Sequence, residues 1–164
     1  MQIILATDHA GFELKEKIKA YLKSLGYSVS DEGAFEYQPE DDYPDFISIA
    51  ARRVASDPDA RGIIFGGSGV GEAIVANRER GVRAVVYTGG PEEIIQLSRQ
   101  HNNTNILSFG ARFVSEDRAK EITSLWLQTD FSGEDRHIRR IYKIDEVAVE
   151  SEDEHDREVD LNTF

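Results

Sequence analysis

The sequence predicts a three-layer α/β sandwich around a five-stranded parallel sheet, and three observations point there: short β-branched runs alternate with longer amphipathic ones, the alternation repeats along the chain, and glycines stand at the junctions. Ile3-Ile4-Leu5-Ala6 reads as the first buried strand. After Gly11, the residues Leu14, Ile18, Tyr21, Leu22 and Leu25 recur at helical spacing until Gly26 stops them. Residues 27–29 make a second strand, and Pro44, in a first turn where a missing N–H breaks no helical bond, opens a helix through Ile47, Ala50, Ala51 and Val54. Gly62-Ile63-Ile64-Phe65 is the third strand, followed by a helix over 71–78. The fourth is Arg83-Ala84-Val85-Val86-Tyr87, with a turn at Gly89-Gly90 and a helix over 91–101. Strand five, residues 105–109, leads to a helix carrying Ala119, Ile122, Leu125 and Trp126, and a basic cluster at 136–140 begins a short last helix. Parallel strands need right-handed crossovers, and such sheets bind ligands outside the carboxyl ends of their strands.

At 164 residues the chain has room for about one domain. With 40% hydrophobic and 30% charged residues, 13 Gly and 4 Pro, it has the composition of a folded globule. The net charge of −12 argues against nucleic acid and anionic membranes as partners, because both are bound through basic patches. That charge is uneven: residues 145–164 hold nine acidic side chains and one Arg, leaving 22 acidic and 18 basic residues in 1–144. The expected organisation is therefore a domain over 1–144 and an acidic tail over 145–164, mobile or packed on a partner, with Val147, Val149, Leu161 and Phe164 as its sizeable apolar groups. Zero Cys removes disulfides, thiolate metal sites and a cysteine nucleophile, and fits a reducing compartment. No apolar run approaches the roughly 18 residues of a membrane span and no leader pattern opens the chain, so a soluble, cytoplasmic protein is expected.

The chemistry-bearing residues fall at predicted strand ends. Asp8-His9 follows strand one, Gly66-Gly67-Ser68-Gly69-Val70-Gly71-Glu72 follows strand three, and Gly110-Ala111-Arg112 follows strand five. Four glycines in six residues either serve a tight turn or let bare N–H groups cradle an anion. The loop is not a dinucleotide fingerprint, and Glu72 stands where a nucleotide-binding P-loop needs Lys. Glu72 is either a helix-dipole partner or a base able to take a proton from carbon beside oxyanion donors; Ser68 is either a cap or a proton carrier. His101, in Gln100-His101-Asn102-Asn103, either caps a helix just before strand five or moves protons on a polar ligand. Asp8 can cap the first helix. Arg136-His137-Ile138-Arg139-Arg140, in a chain of this sign, points to a local anion. His155 reads as a solvated tail residue, and the His and carboxylate spacings match no metal-ligand pattern, so no metal is expected.

Together, Asp8-His9-Ala10-Gly11-Phe12-Glu13-Leu14-Lys15, Asp42-Tyr43-Pro44, the 66–71 loop with Glu72, Ala76-Asn77, Arg99-Gln100-His101-Asn102-Asn103, Gly110-Ala111-Arg112 and Arg136-His137 with Arg140 resemble the type B ribose-5-phosphate isomerase family, which includes galactose-6-phosphate isomerase subunits. The resemblance implies Rossmann-like subunits in a homodimer or dimer of dimers, interconverting an aldose and a ketose phosphate through a cis-enediolate without metal or organic cofactor. Many members use a cysteine base in the glycine loop, at the position matching Gly66 or Gly67 here. This chain has no Cys and resembles a subgroup with a glutamate base, placed at Glu72. The resemblance then implies Ser68 moving the proton between O1 and O2, and Gly67, Gly69, Val70 and Gly71 holding the enediolate. His101 would open the ring, with Asp8 on the ring oxygen or a hydroxyl, while Tyr43 and Asn102 line the sugar. Arg136, His137 and Arg140 would clamp the phosphate, Arg112 would reach it from the neighbouring subunit, and His9 would face the same end.

The substrate implied is ribose 5-phosphate, with galactose 6-phosphate, allose 6-phosphate or a tetrulose phosphate as rivals set by pocket length. A small α/β nucleotide-binding regulator would share the glycine turn and acidic charge but would not need Glu72, His101 and paired arginines together. An inactive partner subunit would not need the full set either.

Overall fold

The protein is described by a computed structural model that covers residues 1–160, with side chains described through residue 147. Leu161, Phe164, the side chain of Val149 and His155 therefore lie outside the described residues.

The strands are β1 (Gln2–Thr7), β2 (Ser28–Asp31), β3 (Arg61–Gly66), β4 (Ala84–Tyr87) and β5 (Ile106–Gly110), and all neighbours pair in parallel in the order β2-β1-β3-β5-β4. Connecting them are α1 (Phe12–Ser24), α2 (Tyr43–Ser56), α3 (Val70–Ala76), α4 (Glu93–Asn102) and α5 (Glu116–Gln128). The expected five-stranded parallel sheet is present.

Alternation along the central strands builds two cores, because successive side chains leave a strand on opposite faces. Ile3, Leu5, Ile63, Phe65, Leu107 and Phe109 share one face with Leu14, Ile18 and Leu22 of α1, Ile95 of α4, and Ala119, Ile122 and Trp126 of α5. Ile4, Ala6, Ile64 and Ile106 share the other with Ile47, Ala50, Ala51 and Val54 of α2 and Ala76 of α3. That is the three-layer arrangement, and it buries the strand backbone that would otherwise seek water. Asn77, just past α3, ties the layer to β4: its side chain accepts from Ala84 N–H at 2.8 Å and donates to Ala84 C=O at 3.1 Å.

β2 spans Ser28–Asp31, one to two residues later than the expected 27–29. It is an outer strand whose Ser28, Ser30 and Asp31 offer no apolar run to mark its end. Asp31 meets Lys15 there: the fully buried Lys15 ammonium donates to both Asp31 oxygens at 2.7 and 2.8 Å and to Ala34 C=O at 2.7 Å.

The chain divides into two compact units, Met1–Phe131 and Ser132–Phe164. The second holds α6, which begins at the basic cluster and runs from Asp135 to Asp160, 26 residues. The expected short last helix is thus corrected: it is 26 residues long. Among the described residues no helix is long and apolar enough to cross a membrane.

Candidate active site

β1 and β3 are neighbours from which the chain departs in opposite directions, so their carboxyl ends flank the crevice where doubly wound sheets bind ligands. Asp8 follows β1 and is buried; its Oδ1 accepts from Ala10 N–H at 2.9 Å, the expected cap. The glycine loop follows β3. It is fixed from β5: Ser108 Oγ donates to Gly69 C=O at 2.6 Å, Ala111 N–H to Gly66 C=O at 2.8 Å, and Arg112 N–H to Gly67 C=O at 3.2 Å. Gly69 holds φ +74°, and a Cβ there would lie 2.8–2.9 Å from the Phe109–Gly110 backbone, so the loop requires glycine twice over at this position. α3 has only seven residues, so the loop's own N–H groups, more than a macrodipole, set the field at its start.

Glu72 lies in the first turn of α3 with 4% of its surface exposed. A Cβ on Gly66 would overlap the Glu72 carboxyl group, whereas one on Gly67 would meet the Arg112 guanidinium at 3.2–3.4 Å. The carboxyl therefore fills the space directly over Gly66. Burial raises its pKa above the ordinary 4.5; its own backbone N–H opposes the rise and the Asp8 charge adds to it. Tyr43 closes the other side, its hydroxyl 2.8 Å from where a Gly71 Cβ would be. Ser68 is exposed at the tip, its Oγ accepting from Val70 N–H at 3.3 Å, so the cap geometry and an accessible hydroxyl coexist.

His9 and Arg112 line one cavity of about 370 Å³ with Lys17, Tyr37, Glu13 and Glu116. The resemblance assigns Arg112 to the neighbouring subunit's site. In this structure it lies over Gly67 of its own chain, because the 110–112 turn is hydrogen-bonded to the glycine loop. Among the described residues, one trio with ligand-like atoms within 4.8 Å of one another is Asp8, His9 and Asp41. Its closest contact is 2.7 Å, between His9 Nδ1 and Asp41 Oδ1. Asp41 was not among the residues singled out from the sequence; it stands 32 positions from His9, and nothing local marks the pairing.

His101 and Asn102 are not brought to Glu72. They end α4, beside the amino ends of the strands: Arg83 Nε donates to the C=O groups of Asn102 and Asn103 at 3.0 and 3.2 Å, and Asn105 N–H bonds Arg83 C=O at 3.0 Å. β3 spans six residues, so its two ends are roughly 17 Å apart. The corner is firmly held, with Asn103 at φ +45° and the buried Arg99 donating to Asn103 Oδ1 at 2.8 Å. Burial, helped by the nearby charges of Arg61 and Arg83, lowers the Arg99 pKa to about 10.

Within the second unit, Arg136 and Arg140 are exposed and share a face of α6 at i and i+4. His137 between them is buried, its Nε2 4.0 Å from Glu134 Oε1.

Residues 3–144 match the protein family described as Ribose/Galactose Isomerase. The chain belongs to this family. The ribose-5-phosphate isomerase B of Mycolicibacterium paratuberculosis is 43% identical over 141 residues, covering 86% of this chain and 87% of the relative. That of Escherichia coli is 41% identical over 143 residues, covering 87% and 93%. Among solved structures, Clostridium thermocellum ribose-5-phosphate isomerase B superposes with a TM-score of 0.86 at 40% identity, covering 92% of this chain and 99% of the other. The Mycoplasma genitalium enzyme, solved with bound ribulose-5-phosphate, gives 0.84 at 37% identity, covering 89% and 95%. This member of the ribose/galactose isomerase family is thus an aldose–ketose isomerase with the family's Rossmann-like fold.

Proposed function

We propose that this chain interconverts ribose 5-phosphate and ribulose 5-phosphate through a cis-enediolate, with Glu72 as the base. The observation that carries the reading is the Glu72 carboxyl itself, buried over Gly66 at the head of an N–H-lined loop and beside Asp8. A carboxylate with a raised pKa accepts a proton better than an exposed one, and the loop donors stand where oxyanion charge would grow. The proposed course starts from the opened sugar. Glu72 takes the C2 proton, the C2 electrons form the C1=C2 bond, and the C1 carbonyl oxygen becomes an oxyanion held by N–H groups of Gly67, Gly69, Val70 and Gly71. Ser68 Oγ moves the proton from O2 to O1, and Glu72 returns its proton to C1, leaving C2 as the ketone. Tyr43 lines the sugar. Asp8 holds the ring oxygen or a hydroxyl.

Ring opening by His101, with Asn102, requires a second copy of the chain, because both residues lie at the opposite end of their own sheet from Glu72. A homodimer, or a dimer of such dimers, would bring the α4 corner of one copy to the glycine loop of the other. Arg112 and His9 would supply cations at the loop of their own chain, and the family resemblance alone adds Arg136, His137 and Arg140 as phosphate ligands. The two positions open to the family's cysteine base now differ: a side chain at 66 would reach the point the Glu72 carboxyl occupies, so glutamate and cysteine would be alternative occupants of one place. The set needs no metal or organic cofactor.

The test is conversion of ribose 5-phosphate with excess chelator, beside six-carbon aldose phosphates. Wild type should turn over the pentose, and Glu72→Gln should lose roughly 10²–10⁴-fold in kcat, the usual loss for a positioned base. Full activity in Glu72→Gln overturns the reading.

A further inference from the structure

His9 is held by a loop that the proposed mechanism does not use. The segment between β2 and α2 brings Asp41 against it: Asp41 Oδ1 accepts from His9 N–H at 2.9 Å and lies 2.7 Å from His9 Nδ1. From the same segment the edge of the Tyr37 ring meets the imidazole at 88°, with centroids 6.2 Å apart. One carboxylate oxygen thus fixes both the backbone and the ring of His9, and Nε2 is left as the ring nitrogen for a ligand in the shared cavity.

The other carboxylate oxygen carries the argument further. Asp41 Oδ2 is buried and, among the described residues, has no hydrogen-bond partner. The Asp41 charge is therefore balanced by His9, and a neutral imidazole would leave a nearly buried carboxylate uncompensated. Asp8 Oδ2, 4.0 Å from His9 Nδ1, adds a second negative neighbour. The remaining charged groups around the cavity are Arg112 and Lys17 against Glu13 and Glu116, and Lys17 pairs with Glu116 at 3.3 Å. Arg112 makes no hydrogen bond or ion pair through its guanidinium among the described residues.

We infer that Asp41 is a positioning residue: it fixes His9 as an Nδ1–H donor and keeps the ring charged, so that His9 Nε2–H and Arg112 bind a phosphate monoester dianion from one side of the cavity. The inference rests on the sugar-phosphate reading and deepens it by naming what prepares the anion site. The His9 pKa is raised in agreement, chiefly by the Asp41 hydrogen bond, with burial opposing and the charges of Asp8 and Asp41 assisting.

The experiment has an arm that does not need catalysis. Ring NMR of the full chain, with His9 assigned by His9→Gln, should show Nδ1 protonated in the wild type and a titration midpoint above 6.5 that falls in Asp41→Asn. Binding of inorganic phosphate, followed on the same resonances near neutral pH, should weaken about tenfold in Asp41→Asn, the size of one charge-assisted hydrogen bond. In turnover, KM for ribose 5-phosphate should rise by a similar factor with kcat within about twofold, and KM should climb at a lower pH than in wild type. Asp41→Glu should restore most of the loss, and Asp41→Asn should add nothing to His9→Gln. An unchanged His9 midpoint, unchanged phosphate affinity, or an equal loss in the His9→Gln background overturns the inference. A wild type that binds phosphate with these signatures but does not isomerise ribose 5-phosphate overturns the substrate reading and leaves this pairing standing.

Discussion

Gly66→Ala is the smallest change that addresses the proposed base, and it does so without touching Glu72. The new methyl group would occupy space now filled by the Glu72 carboxyl oxygens, so the carboxylate must move or the loop must shift. Forcing one extra carbon into a packed site costs about 1–3 kcal/mol. In a chain of this length that is a drop in Tm of roughly 2–12 °C, at about 2–4 °C per kcal/mol. The kinetic loss is larger, since displacing a reacting group by about 1 Å costs on the order of 10²-fold in kcat. The assay pairs thermal unfolding with ribose 5-phosphate turnover for Gly66→Ala, Glu72→Ala and the double variant. Removing the carboxylate vacates the space, so the double variant should be no less stable than Glu72→Ala alone, a coupling of about 1–3 kcal/mol between the two sites. Gly66→Ala turning over within about threefold of wild type, with stability losses that simply add, would refute the reasoning that places the base over Gly66.

Two further outcomes are expected. Glu72→Gln and His101→Gln should each be inactive alone, yet mixing them under conditions that exchange subunits should restore about one quarter of the sites, because a two-fold pair of unlike copies assembles one intact site; no recovery on mixing would contradict the shared site. Asp31→Asn should destabilise the protein by about 3 kcal/mol at pH 7, since it leaves the buried Lys15 ammonium with only the half-exposed Glu16 carboxylate, at 3.3 Å, as a charged partner. Burial pushes the Asp31 pKa up, but hydrogen bonds from Lys15, Lys19 and Gly33 together hold it below 3.8. Its contribution is thus complete above the unfolded pKa and is lost as pH falls through the folded one, so the gap in urea unfolding between wild type and Asp31→Asn should close below about pH 3.8. A gap that is the same at pH 7 and pH 3 would contradict the pairing.

The sheet was legible because its information is local. Alternating apolar runs such as Ile3-Ile4-Leu5-Ala6 and Gly62-Ile63-Ile64-Phe65 can be buried on both faces only between two helical layers, and the structure places them there. β2 was blurred because an outer strand of Ser28, Ser30 and Asp31 carries no such run. The length of α6 escaped for a related reason: its acidic half has too few apolar residues to show a helical stripe, and a charge run reads as a tail. Lys15 stands at the edge of the Leu14–Ile18 stripe, and only the fold reveals Asp31 and Ala34 C=O as the partners that let it be buried. Asp8, Glu72 and the glycine loop were legible as a group because strand ends on one edge converge. His101 shows the other side of that rule. A helix following a strand of a parallel sheet ends at the opposite edge, so His101 lies away from Glu72 in its own chain, a point that topology carries and residue spacing does not.

The central claim is proton transfer by Glu72 through an enediolate, and deuterium oxide tests it most directly. Ribose 5-phosphate taken to equilibrium by wild type in deuterium oxide, with excess chelator, should carry solvent deuterium at the carbon that exchanges its proton, C2 of the aldose and C1 of the ketose, as read by NMR. Glu72→Gln should show neither turnover nor exchange on that timescale. Turnover or exchange that persists undiminished in Glu72→Gln would mean that another group is the base and would contradict the account.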